Sequence, residues 1–170
     1  MQIGTGARLL IASQAPGRRA HESGVPFADR AGDTLRRWLG LDRDTFYDAE
    51  VVAILPIGLC YPGRGPGGDL PPRPECAPRW HARLHALMPE VRLTLVLGRH
   101  AQAHHLAARC RPTLSETVGA FRAYLPDYFP LPHPSPRNRP WLLRHPWFER
   151  DVLPALRAEV ARALTSSLQR

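Results

Sequence analysis

Apolar runs at four points of the chain predict buried β-strands. Residues 8–13 (RLLIAS), 51–55 (VVAIL) and 91–98 (VRLTLVLG) are largely apolar stretches flanked by turn-forming or charged residues. Residues 128–131 (YFPL) predict a fourth, shorter strand. Apolar runs of this length are typical of strands that are covered on both faces.

Segments with helical spacing alternate with these strands. In residues 33–39, Leu35, Trp38 and Leu39 fall on one face, with Asp33 as the predicted N-cap. Further helices are predicted over residues 75–88, 99–108, 115–124, 140–144 and 147–168. The alternation predicts a single α/β domain over residues 1–170, a three-layer α/β/α sandwich with a short, mainly parallel four-stranded sheet.

Three long segments rich in glycine, proline and polar residues follow the strands. Residues 14–32 follow the first strand, 56–74 the second and 133–139 the fourth. Loops at the carboxyl ends of parallel strands gather at one edge of the sheet, where open α/β folds bind their ligands. Long loops inside a compact domain are usually functional. The pattern therefore predicts one binding site built from these three segments.

Composition narrows the class of protein. Of the 170 residues, 44% are hydrophobic and 22% are charged, which is typical of a globular domain. No apolar run approaches the ~20 residues of a membrane span, and residues 1–8 do not resemble a secretory signal. Three cysteines, Cys60, Cys76 and Cys110, are too few for a disulfide framework. We expect a cytoplasmic protein without membrane contact.

The positive charge of the chain comes entirely from arginine. The formal net charge is +8, and all 23 cationic residues are arginines, with no lysine. Codon bias accounts for much of this preference, but an arginine excess also favours a polyanionic partner such as nucleic acid. Without lysine, imine chemistry has only the α-amino group of Met1 available. That group precedes the first strand, so we expect it at the sheet edge opposite the loops.

Two motifs follow the first and fourth predicted strands. The first strand leads into SQAPG (residues 13–17), the fourth leads into HPSPRN (residues 133–138), and Phe27 lies between them. This order resembles the uracil-DNA glycosylase superfamily, in which G-Q/E-x-P follows the first strand, an aromatic residue comes shortly afterwards and HPS follows the last strand. The tail WFERDVLPALR also matches, so the resemblance covers nearly the whole chain.

The resemblance implies the fold of that superfamily and an enzyme that flips a nucleotide out of DNA. Phe27 would stack on the base, and His133 would stabilise negative charge on the departing base. The structural alternatives are a ring that plugs the core and an ordinary buried or surface histidine. The base-binding residues implied are Gln14, Ala15, Pro16, Gly17 and Phe27. The residues implied to contact DNA are Ser135, Arg137, Asn138, Arg18 and Arg19, with Arg137 where relatives carry a residue that wedges into the duplex.

The acid that activates water is missing from its usual positions. Two branches of the superfamily carry an aspartate or a glutamate where this chain has Ala15 and Ala20. A third branch resembles the stretch FADRAG, in which an aspartate stands two residues past the ring. This resemblance favours Asp29 as the group that orients water or stabilises the oxocarbenium ion, with Glu22 and His21 as reserves.

The residue that would read the base is also absent. Relatives usually end the second strand in an asparagine, whereas this chain has ILPIG at residues 54–58, so backbone groups or Gln14 must read the base edge. The resemblance implies a monofunctional DNA glycosylase that excises uracil or a related deaminated base. We expect a monomer that acts on damaged DNA without a cofactor, because water is the nucleophile. The alternatives are a relative that binds DNA or free base without cleaving, and a hydrolase of a small nucleotide-like substrate.

Two of the cysteines have a further resemblance. Cys60 and Cys76, separated by fifteen residues, are similar to the second cysteine pair of the iron–sulfur branch. That branch also needs an earlier CxxC, because four thiolates usually hold such a cluster, and no cysteine precedes Cys60. We interpret the pair as the remains of a ligand set or as buried thiols. A substituted site that uses His81 or His21 is the alternative.

Three histidines fall in the helix predicted over residues 99–108. His100 and His104 have the i, i+4 spacing of metal ligands, and His105 follows directly. No acidic residue stands beside them. We therefore predict a solvated helix face and no metal at this position.

Overall fold

The computed structural model describes residues 1–165. In chain order the strands are β1 (Leu9–Ala12), β2 (Val52–Ile54), β3 (Arg64–Gly65), β4 (Gly68–Asp69), β5 (Leu93–Leu97) and β6 (Tyr128–Leu131). Four of them form a parallel sheet in the order β2-β1-β5-β6, and β3 and β4 form a separate antiparallel hairpin. In the interior strand β1, Leu9 lies opposite Val52 on one side and Leu93 on the other. The four predicted strands and their parallel arrangement are confirmed.

Helices cover both faces of this sheet. In chain order they are α1 (Arg18–Ser23), α2 (Arg30–Leu39), α3 (Arg43–Tyr47), α4 (Cys76–His85), α5 (Gly98–Leu106), α6 (Leu114–Gly119), α7 (Arg139–Arg144) and α8 (Leu153–Thr165). Leu9 and Ile11 face the core that β1 shares with α2 and α8, whereas Leu10 and Ala12 face the cores on the side of α4 and α5. The predicted three-layer sandwich is confirmed. Within residues 1–165, every helix is too short or too polar to cross a bilayer.

The predicted loops contain short elements that the sequence did not indicate. Helix α1 lies within residues 14–32, and the β3–β4 hairpin lies within residues 56–74. Elements this short give no measurable periodicity. The helix predicted over residues 147–168 begins as a π-helical turn, Phe148–Val152, and continues as α8. Its predicted end, residues 166–168, lies outside the described residues.

Helix α2 begins earlier than predicted and has a different cap. The Oδ1 atom of Asp29 accepts hydrogen bonds from the backbone N–H groups of Ala31 and Gly32, at 3.0 and 3.1 Å. The prediction that Asp33 is the cap is wrong, because Asp33 lies in the first turn and pairs with Arg36. The first turn of α2 carries no large apolar residue, so periodicity could not locate its start.

The first residues of the chain fold back along β2. The backbone N–H of Gln2 donates to the carbonyl of Ile54 at 2.9 Å, and that of Ile54 donates to Gln2 at 2.8 Å. The Gln2 side chain also donates to the carbonyl oxygen of Val52 at 2.6 Å. Since Ile54 is the last residue of β2, Met1 lies at the carboxyl edge of the sheet. The expectation that Met1 lies at the opposite edge is wrong.

Four histidines pack together between α4 and α5. The ring centroids are 5.3 Å apart for His81 and His104, 6.2 Å apart for His85 and His105, and 4.8 Å apart for His104 and His105. The Nδ1 atom of His81 and the Nε2 atom of His105 are buried without a hydrogen-bond partner among the described residues. The predicted solvated face is therefore wrong for His105, which also packs against Tyr128.

This histidine cluster predicts a loss of stability in acid. Burial lowers the pKa of His81 and His85, and burial together with the neighbouring imidazoles lowers the pKa of His105 to about 3. Unfolding frees these rings to take up protons near pH 6.5, so the free energy of unfolding should fall as the pH drops below 6.5. The slope approaches about 1.4 kcal/mol per pH unit for each affected ring.

Urea denaturation at a series of pH values measures this effect. His105→Phe should flatten the pH dependence between pH 6.5 and 4 relative to the wild type. Leu106→Ala in the same helix is the control, because it removes buried apolar packing without removing a titratable group. It should lower stability by the same amount at every pH. An unchanged pH dependence in His105→Phe would contradict the assignment.

Candidate active site

The three predicted loops meet around one cavity at the carboxyl edge of the sheet. Its volume is about 710 Å³, which lies within the usual range of small-molecule sites. The hairpin, the first turn of α2 and the ends of β1 and β2 complete its wall. Of the sequence-predicted site residues, those in the wall are Gln14, Ala15, Pro16, Gly17, Arg18, Arg19, Phe27, Asp29, His133, Ser135, Arg137 and Asn138.

His133 stands just beyond β6 between two prolines. The backbone N–H of Ser135 donates to its Nδ1 atom at 3.2 Å. The side-chain amide of Asn138 donates to the His133 carbonyl oxygen at 2.7 Å. Proline fixes the backbone φ angle on each side. The ring is thus held by its own loop at the wall of the cavity.

The charge state of His133 follows from its surroundings. Burial lowers its pKa, and the carboxylates of Asp29 and Asp69 oppose that shift without reversing it. The ring is therefore neutral at pH 7. Since Nδ1 accepts a hydrogen bond, the single proton of the neutral ring resides on Nε2. His133 can accordingly donate one hydrogen bond through Nε2.

Phe27 occupies the wall beside this histidine. The two ring centroids are 6.5 Å apart and the ring planes are inclined by 31°. Phe27 has a φ angle of 55°, a left-handed conformation that costs an aromatic residue energy. The Tyr47 hydroxyl donates to its carbonyl oxygen at 3.1 Å, and a Cβ atom on Gly32 would lie only 1.8 Å from that oxygen. The surrounding structure thus fixes a strained backbone that presents the ring to the cavity.

Asp29 caps a helix and also places a carboxylate charge near the cavity. Its Oδ1 atom caps α2, as described above, and its Oδ2 atom lies on the side of Gly17, where an added Cβ would be 4.0 Å away. The same carboxylate opposes the lowering of the His133 pKa that burial causes. The negative charge of Asp29 therefore acts on the cavity while one oxygen holds the helix.

The hairpin β3–β4 closes one side of the cavity. The Gln14 side-chain amide donates to the carbonyl oxygen of Leu70 at 2.8 Å. The Arg137 guanidinium lies against the hairpin turn, because a Cβ on Gly68 would come within 2.8 Å of its Nη1 atom. One hydrogen-bond donor of the Gln14 side chain is thus used to hold the hairpin.

Ser13 and Asp69 are two of the wall residues that sequence reasoning missed. Ser13, directly after β1, is 4% exposed and its hydroxyl forms no hydrogen bond with the described residues. Its signal in the sequence is that a serine stands where the resembling motif has glycine. Asp69 acts on His133 from the hairpin. No signal marks it, because it lies in a glycine-rich segment without periodicity.

The reserve residues lie outside the cavity wall. Glu22 pairs with Arg18 at 2.8 Å on an exposed face of α1. His21 accepts a long hydrogen bond from the Tyr61 backbone N–H at its Nδ1 atom, at 3.5 Å. Neither side chain is among those that line the cavity. Their positions favour Asp29 over both reserves.

The cysteines are unpaired thiols. Cys60, Cys76 and Cys110 are each partly buried and form no disulfide. In the described part of the chain, no three side chains from histidine, cysteine, aspartate or glutamate are grouped to hold a metal ion. His81, the residue suggested for a substituted site, forms a hydrogen bond with the carbonyl oxygen of Pro56 at 3.1 Å.

Comparison with known protein families identifies the family. The model of the uracil DNA glycosylase superfamily matches residues 2–157. The chain belongs to this superfamily. The fold agrees: a solution NMR structure from Methanosarcina acetivorans, described as a "putative Uracil DNA glycosylase", matches with a TM-score of 0.53 and 14% sequence identity. The match covers 92% of this chain and 93% of that chain.

Membership in the uracil DNA glycosylase superfamily makes this cavity the candidate active site. It joins a partly buried neutral histidine, an aromatic ring and a carboxylate at the sheet edge where α/β folds bind ligands. The two alanines at the usual acid positions, Ala15 and Ala20, also line it. Their methyl groups supply no proton acceptor. Asp29, two residues past Phe27, supplies a carboxylate to the wall.

Because Asp29 caps α2, its replacement should lower the stability of the protein. Asp29→Ala removes the acceptor of two backbone N–H groups and should lower the free energy of unfolding by about 1 kcal/mol. Asp29→Asn keeps an acceptor oxygen and should cost only a small part of this. Asp42→Ala is the matched control, because Asp42 caps α3 through a 2.7 Å hydrogen bond from the Thr45 N–H. The measurement is urea denaturation. If Asp29→Asn and Asp29→Ala lowered the free energy of unfolding equally, the helix cap would not be the contribution of Asp29 to stability.

Proposed function

We propose that the protein is a monofunctional DNA glycosylase that hydrolyses the N-glycosidic bond of uracil or a related deaminated base. The observation that carries this proposal is the pairing of the Phe27 ring with the neutral His133 ring, 6.5 Å apart, at the wall of one cavity. Superfamily membership supports it. We propose that the enzyme acts as a monomer in the cytoplasm.

The first step is the capture of a nucleotide outside the duplex. An enzyme that acts on a base must extrude it from the stack and hold it in a pocket. In the proposal the base stacks on Phe27, which already has its backbone fixed for this position. Arg18, Arg19 and Arg137 lie in the same wall, and their positive charge favours binding of the phosphate backbone. Ser135 offers a hydroxyl beside them.

The second step breaks the bond between the base nitrogen and the sugar carbon. The bonding electron pair leaves with the base, so negative charge develops on its carbonyl oxygens while the sugar becomes an oxocarbenium ion. The Nε2–H of His133 donates a hydrogen bond to the base oxygen and stabilises that charge. The carboxylate of Asp29 stabilises the positive sugar. Water then adds its oxygen to the sugar carbon, and the proton that it loses is taken up by the released base or by solvent.

The identity of the base depends on the groups that face its edge. The usual asparagine is absent, and Gln14 is partly engaged with Leu70. The hydroxyl of Ser13, a residue that is 4% exposed, has no hydrogen-bond partner among the described residues and can donate or accept a hydrogen bond. A site that can do both accepts several deaminated bases, so we propose a range of substrates that includes uracil.

A second candidate function is a DNA-binding relative without cleavage. The observation that favours it is the pair of alanines, Ala15 and Ala20, at the positions of the usual acids. In that case the cavity would still accept a base, and DNA would bind without chemical change.

An oligonucleotide assay separates the two functions. Single- and double-stranded DNA carrying uracil, hypoxanthine, xanthine or an alkylated base is incubated with the protein and then treated with alkali. The proposal expects strand breaks at the damaged base that appear only after alkali. Binding of all substrates without any break would support the second candidate and contradict the first.

Removal of the His133 ring should slow the chemical step. One donor aimed at developing charge contributes about 2.7–4 kcal/mol, so His133→Ala should reduce the single-turnover rate about 100- to 1000-fold. DNA affinity should change little, because the ring binds the transition state. Asp29→Asn should also slow this step with the fold retained. A His133→Ala variant with full activity would remove this histidine from the mechanism.

The product should be an abasic site in an intact strand. Enzymes that also cut the backbone form an imine between an amine and the sugar, and this sequence contains no lysine. The α-amino group of Met1 needs a direct test, because Met1 lies in the cavity wall and burial lowers the pKa of its amine. Borohydride added during turnover should trap no protein–DNA adduct. An adduct that disappears after Met1 is acetylated would show that the reaction is not monofunctional.

A further inference from the structure

A second cavity lies on the other side of the loop that carries His133. Its volume is about 440 Å³, and Ser135 and Pro136 line both cavities. The remainder of its wall comes from α2, from α7 and from the start of α8 with the turn before it. The two cavities are thus neighbours that share the wall formed by Ser135 and Pro136, and the residues that line only the second cavity have no part in the proposed reaction.

The wall of the second cavity is rich in arginine. Arg37, Arg139 and Arg157 line it, against one carboxylate, Glu149. Arg157 is fixed by hydrogen bonds to the carbonyl oxygens of Trp38 and Arg37, at 3.2 and 3.0 Å. The side chains of Arg37 and Arg139 form no hydrogen bond or ion pair with the described residues. Two guanidinium groups are therefore available to a ligand.

The chemistry of this wall favours an anionic ligand over a base. Arginine presents a planar fork of donors that fits phosphate oxygens. Thr34 and Ser135 add hydroxyl groups. The one large aromatic ring in the wall, Trp38, is only 3% exposed and so offers little surface for stacking. The cavity is suited to a phosphate group and poorly suited to a nucleobase.

We propose that this second cavity binds the phosphodiester backbone of the DNA strand that flanks the flipped nucleotide. The inference rests on the proposed function, because it takes the nucleotide in the first cavity as its reference. In this proposal, the strand whose base enters the first cavity continues past Ser135 and Pro136, which line both cavities. Arg37 and Arg139 then neutralise backbone phosphates beyond that wall, and Glu149 opposes their effect.

Salt-dependent binding tests the proposal without requiring cleavage. A long duplex that contains a non-cleavable abasic analogue is titrated at several salt concentrations. The slope of log K against log salt is negative, and each lost phosphate contact to duplex DNA makes it less steep by about 0.9. Arg37→Gln and Arg139→Gln should each show such a reduction and a weaker affinity for any sequence. Glu149→Gln should bind more tightly than the wild type.

The matched control is Arg111→Gln. Arg111 is also exposed, but it lies beyond α5, outside both cavities, and its side chain forms no hydrogen bond or ion pair with the described residues. This variant should behave as the wild type. The proposal is overturned if Arg37→Gln and Arg139→Gln also match the wild type, or if Glu149→Gln binds more weakly.

The length of the substrate gives an independent readout. On an oligonucleotide too short to pass the shared wall, Arg37→Gln and Arg139→Gln should equal the wild type, and the difference should appear only on longer DNA. Base release by the wild type on the same DNA reports separately on the glycosylase function. A wild type that binds but releases no base would refute the glycosylase and leave the binding comparison intact.

Discussion

The parallel pairing of β1 between β2 and β5 is the constraint on which the site depends. Parallel strands end at the same edge, so the segments after β1, β2 and β6 must meet there. The backbone N–H of Ile57 donates to Ser13 at 2.9 Å and that of Gly58 donates to Gln14 at 2.9 Å, which continues the pairing of the two chains beyond the strands. The cavity is therefore bounded by backbone that the sheet itself positions.

Structural and chemical roles fall on the same residues in this site. Phe27 packs edge-on against buried Phe46, with centroids 6.3 Å apart, and also faces the cavity. Asp29 caps α2 while its charge reaches His133. Phe27 thus packs as a core ring on one side and lines the cavity on the other, where the proposal places the stacked base. Packing and hydrogen bonds hold each of these residues before any ligand binds, which reduces the entropy cost of organising the site.

Features that depend on long apolar runs and motifs could be predicted from the sequence. Features that depend on single hydrogen bonds or on contacts between distant segments could not. The four strands and the gathering of three loops follow from apolar runs such as VVAIL and from the parallel connection rule. The cap of α2 depended on hydrogen bonds from Ala31 and Gly32, which no periodicity reports. The return of Gln2 to Ile54 and the packing of His105 on α4 arise from tertiary contacts between distant segments. Local pattern carries no information on such contacts.

The central claim is that a base leaves the DNA stack and enters the cavity between Phe27 and His133. Fluorescence of 2-aminopurine placed beside a damaged base reports unstacking directly. Gly17→Phe provides the blocked comparison. Gly17 lines the cavity, and apart from its chain neighbours no atom lies closer than 4.0 Å to a Cβ built there, so the larger side chain has room to enter the cavity. We predict that the wild type raises the fluorescence on binding and that Gly17→Phe, at equal DNA occupancy, does not. An equal rise with both proteins, or no rise with the wild type, would contradict the claim.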